Sequence, residues 1–164
     1  MEAGLLSEYR YNRPVLLEMA IAAEESARAF YSALSRRFPE HAAFFNQLAG
    51  DEEQHAKTYR RLLSGGEAYS SEEERKLADR YIQALETSGL VSSLRKGAER
   101  AGEVEDLKSA MQAAVQMEKD TVLLYHSIAM AAGNEDRREI YSIIDVELSH
   151  LAKIESLKTC EAEA

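Results

Sequence analysis

The sequence predicts an all-α chain: a four-helix bundle made of two antiparallel helical hairpins joined by a helical crossover connector. Three observations carry this reading. Apolar residues recur at helical spacing through long stretches filled with Ala, Glu, Leu, Arg and Lys. Alternating β-branched runs are absent. The two prolines, Pro14 and Pro39, each stand near the start of a periodic stretch, where a missing N–H costs nothing.

The first helix is expected from about Val15 to Arg37, behind Pro14. The second runs from about Glu40 to Leu63, where Ser64, Gly65 and Gly66 supply residues suited to stopping it. These two make the first hairpin. Two shorter patterns follow, Ser71 to Thr87 and Leu90 to Arg100, the first opened by Ser70-Ser71 with Glu74 three residues beyond Ser71. They form the connector. The last two helices, Val104 to Ala132 and Glu135 to Glu161, are separated by Gly133-Asn134 and make the second hairpin. A chain of 164 residues with 45% hydrophobic content fits one domain spanning 1–164.

Charge narrows the function. With 29 acidic against 20 basic side chains, the net charge of -9 opposes attraction to nucleic acid or to an anionic membrane. The N-terminal residues show no basic start followed by an apolar run, and no stretch approaches the length of a membrane span. A cytoplasmic protein is expected. The single cysteine, Cys160, can form neither an internal disulfide nor a multi-cysteine metal site.

The chemistry lies in an internal repeat. AIAAEESARAFY, Ala20 to Tyr31, aligns with AVQMEKDTVLLY, Ala114 to Tyr125, so that Glu24 corresponds to Glu118 and Tyr31 to Tyr125. On the following helix of each hairpin stands Glu-x-x-His: Glu52 with His55, and Glu147 with His150. The spacings agree, 28 residues from Glu24 to Glu52 and 29 from Glu118 to Glu147.

All four glutamates fall on apolar stripes. Leu17, Ile21, Ala27 and Tyr31 flank Glu24 at helical spacing, and Ile140, Ile144, Leu151 and Ile154 flank Glu147. Packing the stripes together would gather four carboxylates in a low-dielectric interior, where each unpaired charge costs several kcal/mol. Two divalent cations would neutralise them, and each i, i+3 histidine adds a nitrogen ligand from the same helical face. The candidate metal ligands are therefore Glu24, Glu52, His55, Glu118, Glu147 and His150. Oxygen-rich ligation with two histidines suits iron, and equally manganese or zinc. Tyr31 and Tyr125 read either as core aromatics or as donors of hydrogen bonds to ligating carboxylates. His41 and His126 lack a glutamate three residues earlier and read as non-ligands, and Glu25 and Glu53 read as solvated.

At these residues the chain resembles the rubrerythrin branch of the ferritin-like superfamily, over roughly 14–63 and 104–158. The resemblance implies a ferritin-like bundle holding two iron ions, with Glu24 and Glu118 as terminal carboxylates and Glu52 and Glu147 bridging. It implies an oxidoreductase that reacts with peroxide or O2, of peroxidase or ferroxidase type. A metal-binding or storage protein and a di-iron oxygenase are the alternatives. Three departures stand out. The chain has no paired Cys-x-x-Cys for a rubredoxin-type iron, so electrons would come from an external donor such as a rubredoxin. Thr121 stands where rubrerythrins carry an extra carboxylate. Glu53 stands where bacterioferritins place a haem-ligating Met, so haem is not expected. Leu85, Leu90 and Val91 read as outer apolar positions at which a second copy could seat to form a homodimer.

Overall fold

The structure, a computed structural model, describes residues 10–65 and 71–163. Gly66, Ser70 and the N-terminal nine residues lie outside the described residues. Among the described residues seven α-helices follow in order: α1 Arg13–Arg37, α2 Ala42–Leu63, α3 Glu72–Thr87, α4 Leu90–Leu94, α5 Gly97–Glu103, α6 Leu107–Ala131 and α7 Asn134–Glu163. The expected all-helical bundle of two hairpins is present.

Local chemistry sets the helix ends. Asn12 accepts a 3.1 Å hydrogen bond from the Val15 amide ahead of α1, and Pro14 occupies the first turn. Arg36 and Arg37 close that helix where the dipole favours positive charge. Ser71 and Glu74 form the expected capping box on α3.

Three expected boundaries shift. A 3-10 turn, Pro39–His41, precedes α2, which therefore starts at Ala42 rather than Glu40. Val104 is extended, and α6 begins only after Asp106, whose side chain accepts from the Ser109 amide. The expected helix from Leu90 to Arg100 is broken at Arg95-Lys96 into α4 and α5. Gly97 explains that break. Its amide donates a 2.7 Å hydrogen bond to Ser26 Oγ on α1, and a Cβ there would lie 2.0 Å from the Ser26 carbonyl oxygen. The backbones approach too closely for any side chain.

Contacts place α1 beside α2 and α6, and α7 beside α6 and α2. Residue pairings show that these neighbours run antiparallel: Tyr31 meets Glu118 while Tyr125 meets Glu24, and Arg61 meets Glu139 while Asp51 meets His150. It follows that α2 and α6 point the same way. The chain leaving α2 must return along the bundle before α6 can begin, and α3, α4 and α5 make that journey against α1 and α6.

Leu17, Phe30, Leu34, Phe45, Leu48, Met111, Leu124 and Ile154 fill the interior. Each fully buried side chain of this kind contributes about 1.5–3 kcal/mol relative to exposure. Val91 is buried as well, and Leu85 and Leu90 pack against the same core. Of these three positions, read from the sequence as outer, Val91 is enclosed by its own chain, while Leu85 and Leu90 stay half-buried.

One end of the bundle is tied by a buried ion pair that periodicity does not reveal. Arg13 Nε lies 2.6 Å from Asp136 Oδ2 at the start of α7, and its guanidinium donates a 2.7 Å hydrogen bond to the Leu62 carbonyl near the end of α2. A single side chain thereby joins three helices.

Candidate metal centre

Glu24, Glu52, Glu118, Glu147 and His150 are at most 1% exposed and His55 is 6% exposed. Burial of so many ionisable groups runs against their hydration and requires compensation. Each helix of the bundle contributes: α1 brings Glu24, α2 brings Glu52 and His55, α6 brings Glu118, and α7 brings Glu147 and His150.

The six side chains converge in two groups whose candidate ligand atoms lie within 4.8 Å of one another. One group holds Glu24, Glu52, His55 and Glu147, and the other holds Glu52, Glu118, Glu147 and His150. Glu52 and Glu147 belong to both. Shared membership is the arrangement expected of carboxylates placed between two ions.

Both imidazoles present Nδ1 to the carboxylates. His55 Nδ1 lies 3.1 Å from Glu52, 3.0 Å from Glu147 and 3.5 Å from Glu24. His150 Nδ1 lies 3.0 Å from Glu147, 3.3 Å from Glu52 and 3.7 Å from Glu118. In each Glu-x-x-His pair the two side chains meet at i, i+3 on one helical face, as the spacing requires.

Both tyrosines are fully buried, and the hydroxyl of each reaches a carboxylate. Tyr125 donates to Glu24 Oε1 at 2.7 Å, and Tyr31 donates to Glu118. Each phenol crosses from one hairpin to the carboxylate of the other.

Electrostatics record the crowding. Burial, with Glu147 and Glu52 nearby, holds the Glu24 carboxyl well above the usual carboxylate range. Burial and Glu147 raise Glu118 to about 7. Burial opposes the charge on His55, but hydrogen bonds with Glu147, Glu24 and Glu52 outweigh it and raise the imidazole to about 12. His150 is raised in the same way by Glu118, Glu147 and Glu52 against the effect of burial. Protons thus occupy the places where positive charge is needed.

The donors fit divalent cations. Glu24 Oε2, Glu52 Oε1 and Glu147 Oε1 are fully buried; Glu24 Oε2 has no partner among the described residues, while Glu147 Oε1 and Glu52 Oε1 face only imidazole Nδ1 atoms, of His55 at 3.0 Å and of His150 at 3.3 Å. Such oxygens retain lone pairs for a cation. Four carboxylates and two imidazoles are a borderline-hard set suited to iron, manganese or zinc.

Other residues fall where the sequence placed them or nearby. Glu25 pairs with Arg60 on the surface, and Glu53 with Lys57. His41 faces Glu161, His126 packs edge-on against Tyr141, and neither joins the two groups. Cys160 is exposed. Thr121 is buried on α6.

Sequence reasoning missed two residues. Asp51 on α2 reaches His150 Nε2 on the adjacent α7 at 3.1 Å. Tyr59 is fully buried beside Tyr125, ring centroids 5.1 Å apart, with no hydrogen-bond partner for its hydroxyl among the described residues. The internal repeat could not flag either, because its matching positions are Val146 and Ile154.

The fold and donor set together define a ferritin-like bundle with a buried glutamate–histidine centre suited to two metal ions. The Rubrerythrin family matches residues 16–158, and the chain belongs to that family. Comparisons with curated proteins and with solved structures returned no match. Among the described residues no helix is long and apolar enough to cross a membrane.

Proposed function

We propose that this chain is a di-iron oxidoreductase that reacts with hydrogen peroxide or O2. The observation that carries the reading is the pair of buried four-residue groups sharing Glu52 and Glu147. Glu24 and His55 would hold one ion, Glu118 and His150 the other, with Glu52 and Glu147 serving both. Iron bound there would supply one electron per ion, which suits a two-electron oxidant.

The protein's own contribution is position and dryness. Leu17, Leu48, Met111 and Ile144 lie in the same buried core and help exclude bulk water, which strengthens every charge interaction within the site. Tyr31 and Tyr125 fix the carboxylates of Glu118 and Glu24 and leave their other oxygens to face a cation. Thr121 supplies no further carboxylate, so the ligand set stays matched between the two halves. A separate donor such as a rubredoxin would return electrons, because Cys160 alone cannot hold a four-cysteine iron. Cytoplasmic residence and a homodimer are part of the same reading.

The test is elemental analysis of purified protein, followed by anaerobic Fe(II) titration and separate exposure to H2O2 and O2. About two ions per chain with rapid oxidation by either reagent supports the proposal. Two ions held without oxidation would make the chain a metal-binding protein. Uptake far above two would make it a store, and no uptake would end the metal reading.

A further inference from the structure

The two halves of the centre are not equal, and Asp51 makes the difference. His150 uses Nδ1 toward Glu52, Glu118 and Glu147 while Nε2 faces Asp51 Oδ2 at 3.1 Å from the neighbouring helix. His55 presents the same nitrogen to Glu24, Glu52 and Glu147, and these neighbouring carboxylates all face Nδ1. Its Nε2 faces no carboxylate among the described residues. The repeat shows why: Asp51 directly precedes Glu52, and the residue preceding Glu147 is Val146.

A carboxylate on Nε2 holds the proton there and leaves the Nδ1 lone pair free for a ligand. It also fixes the ring plane before the ligand arrives. His150 is fully buried and held at both nitrogens, whereas His55 is slightly exposed and held at one. Ordering an imidazole costs conformational freedom, and that cost falls on His55 at the moment of binding.

We propose that Asp51 is a positioning residue that renders the Glu118–His150 position the tighter of two unequal metal positions, so that the centre fills in order. The inference rests on the two-metal reading above, extends it to the sequence of loading, and uses no property of the redox reaction.

Anaerobic calorimetric titration with Mn(II) tests it, comparing the parent chain with Asp51→Asn and with Asp145→Asn. Asp145 is an exposed acid on the same helix as His150, and its substitution makes the same change in charge. The expected result is two binding steps in the parent. Asp51→Asn should weaken the tighter step by about 10- to 100-fold, and Asp145→Asn should leave both steps in place. Equal steps in the parent overturn the inference, as does an Asp51→Asn variant that weakens both steps alike or neither. No Mn(II), Fe(II) or Zn(II) uptake by the parent would instead remove the two-metal reading itself.

A second measurement needs no variant. In nitrogen-15 spectra of the Zn(II)-loaded parent chain, His150 should show a protonated Nε2 that exchanges slowly with water, and His55 one that exchanges rapidly. Matching exchange at the two rings would overturn the assignment to Asp51.

Discussion

Tyr125 on α6 donates a 2.7 Å hydrogen bond to Glu24 on α1, and Tyr31 on α1 returns the same interaction to Glu118 on α6. The carboxylate of each hairpin is therefore oriented by the other. Replacing either phenol leaves a buried carboxylate oxygen without its donor, a cost of about 1–3 kcal/mol. In Co(II)-loaded protein, Tyr125→Phe should perturb the ligand field at the Glu24 position, and Tyr31→Phe that at the Glu118 position. Optical spectra unchanged from the parent in both variants would show that the tyrosines act only as core aromatics.

Glu52 and Glu147 belong to both groups, whereas Glu24 and Glu118 each belong to one. Glu52→Ala should accordingly lose both ions, while Glu24→Ala should affect chiefly the position it shares with His55. Elemental analysis after dialysis distinguishes the two patterns. Full occupancy in Glu52→Ala would be strong evidence against a shared role.

Proton linkage gives a third expectation. Glu118 is raised from the ordinary carboxylate range to about 7, and His55 from the ordinary imidazole range to about 12. In both cases the folded, chelator-treated protein binds protons more tightly than the unfolded chain. Their contribution to stability is therefore complete at low pH and is lost as pH rises, for Glu118 from about 4.5 through 7 and for His55 from about 6.5 through 12. The Tm of chelator-treated protein should fall between pH 5 and pH 8. Cation binding reverses the sign, because ligation requires deprotonated donors. Zn(II) addition at pH 6 in weak buffer should release on the order of two protons per ion, read with an indicator dye. A Tm that climbs over the same range would contradict the assignment.

The Arg13–Asp136 pair offers a test of the fold independent of metal. Arg13 is 9% exposed and Asp136 7% exposed, so removing one partner strands a buried charge. Asp136→Ala should cost about 3–5 kcal/mol. In a chain of this size that corresponds to a Tm drop of roughly 6–20 °C, measurable by circular dichroism.

The helices, their antiparallel pairing and the six converging side chains follow from periodicity and from a repeat that copies Glu24, Glu52 and His55 into Glu118, Glu147 and His150. Asp51 and Tyr59 escape because the same repeat substitutes Val146 and Ile154 for them. Arg13 and Asp136 escape for a different reason: they stand 123 positions apart and sit near helix ends, where periodicity carries little information. The break before Gly97 depends on how closely two backbones approach, a distance that no local pattern encodes.

Each half of the centre borrows a glutamate from the opposite hairpin: Glu147 enters the group of Glu24 and His55, and Glu52 enters that of Glu118 and His150. One hairpin on its own could complete such a group only by meeting a copy of itself. The connector turns that encounter between molecules into an encounter within one chain. Tethered partners meet at an effective concentration in the millimolar range or above, so assembly of the centre does not depend on how many copies the surroundings contain. Covalent linkage also frees the halves to diverge, and Asp51 facing a ring that Val146 cannot serve in return is a difference that two identical chains could not maintain.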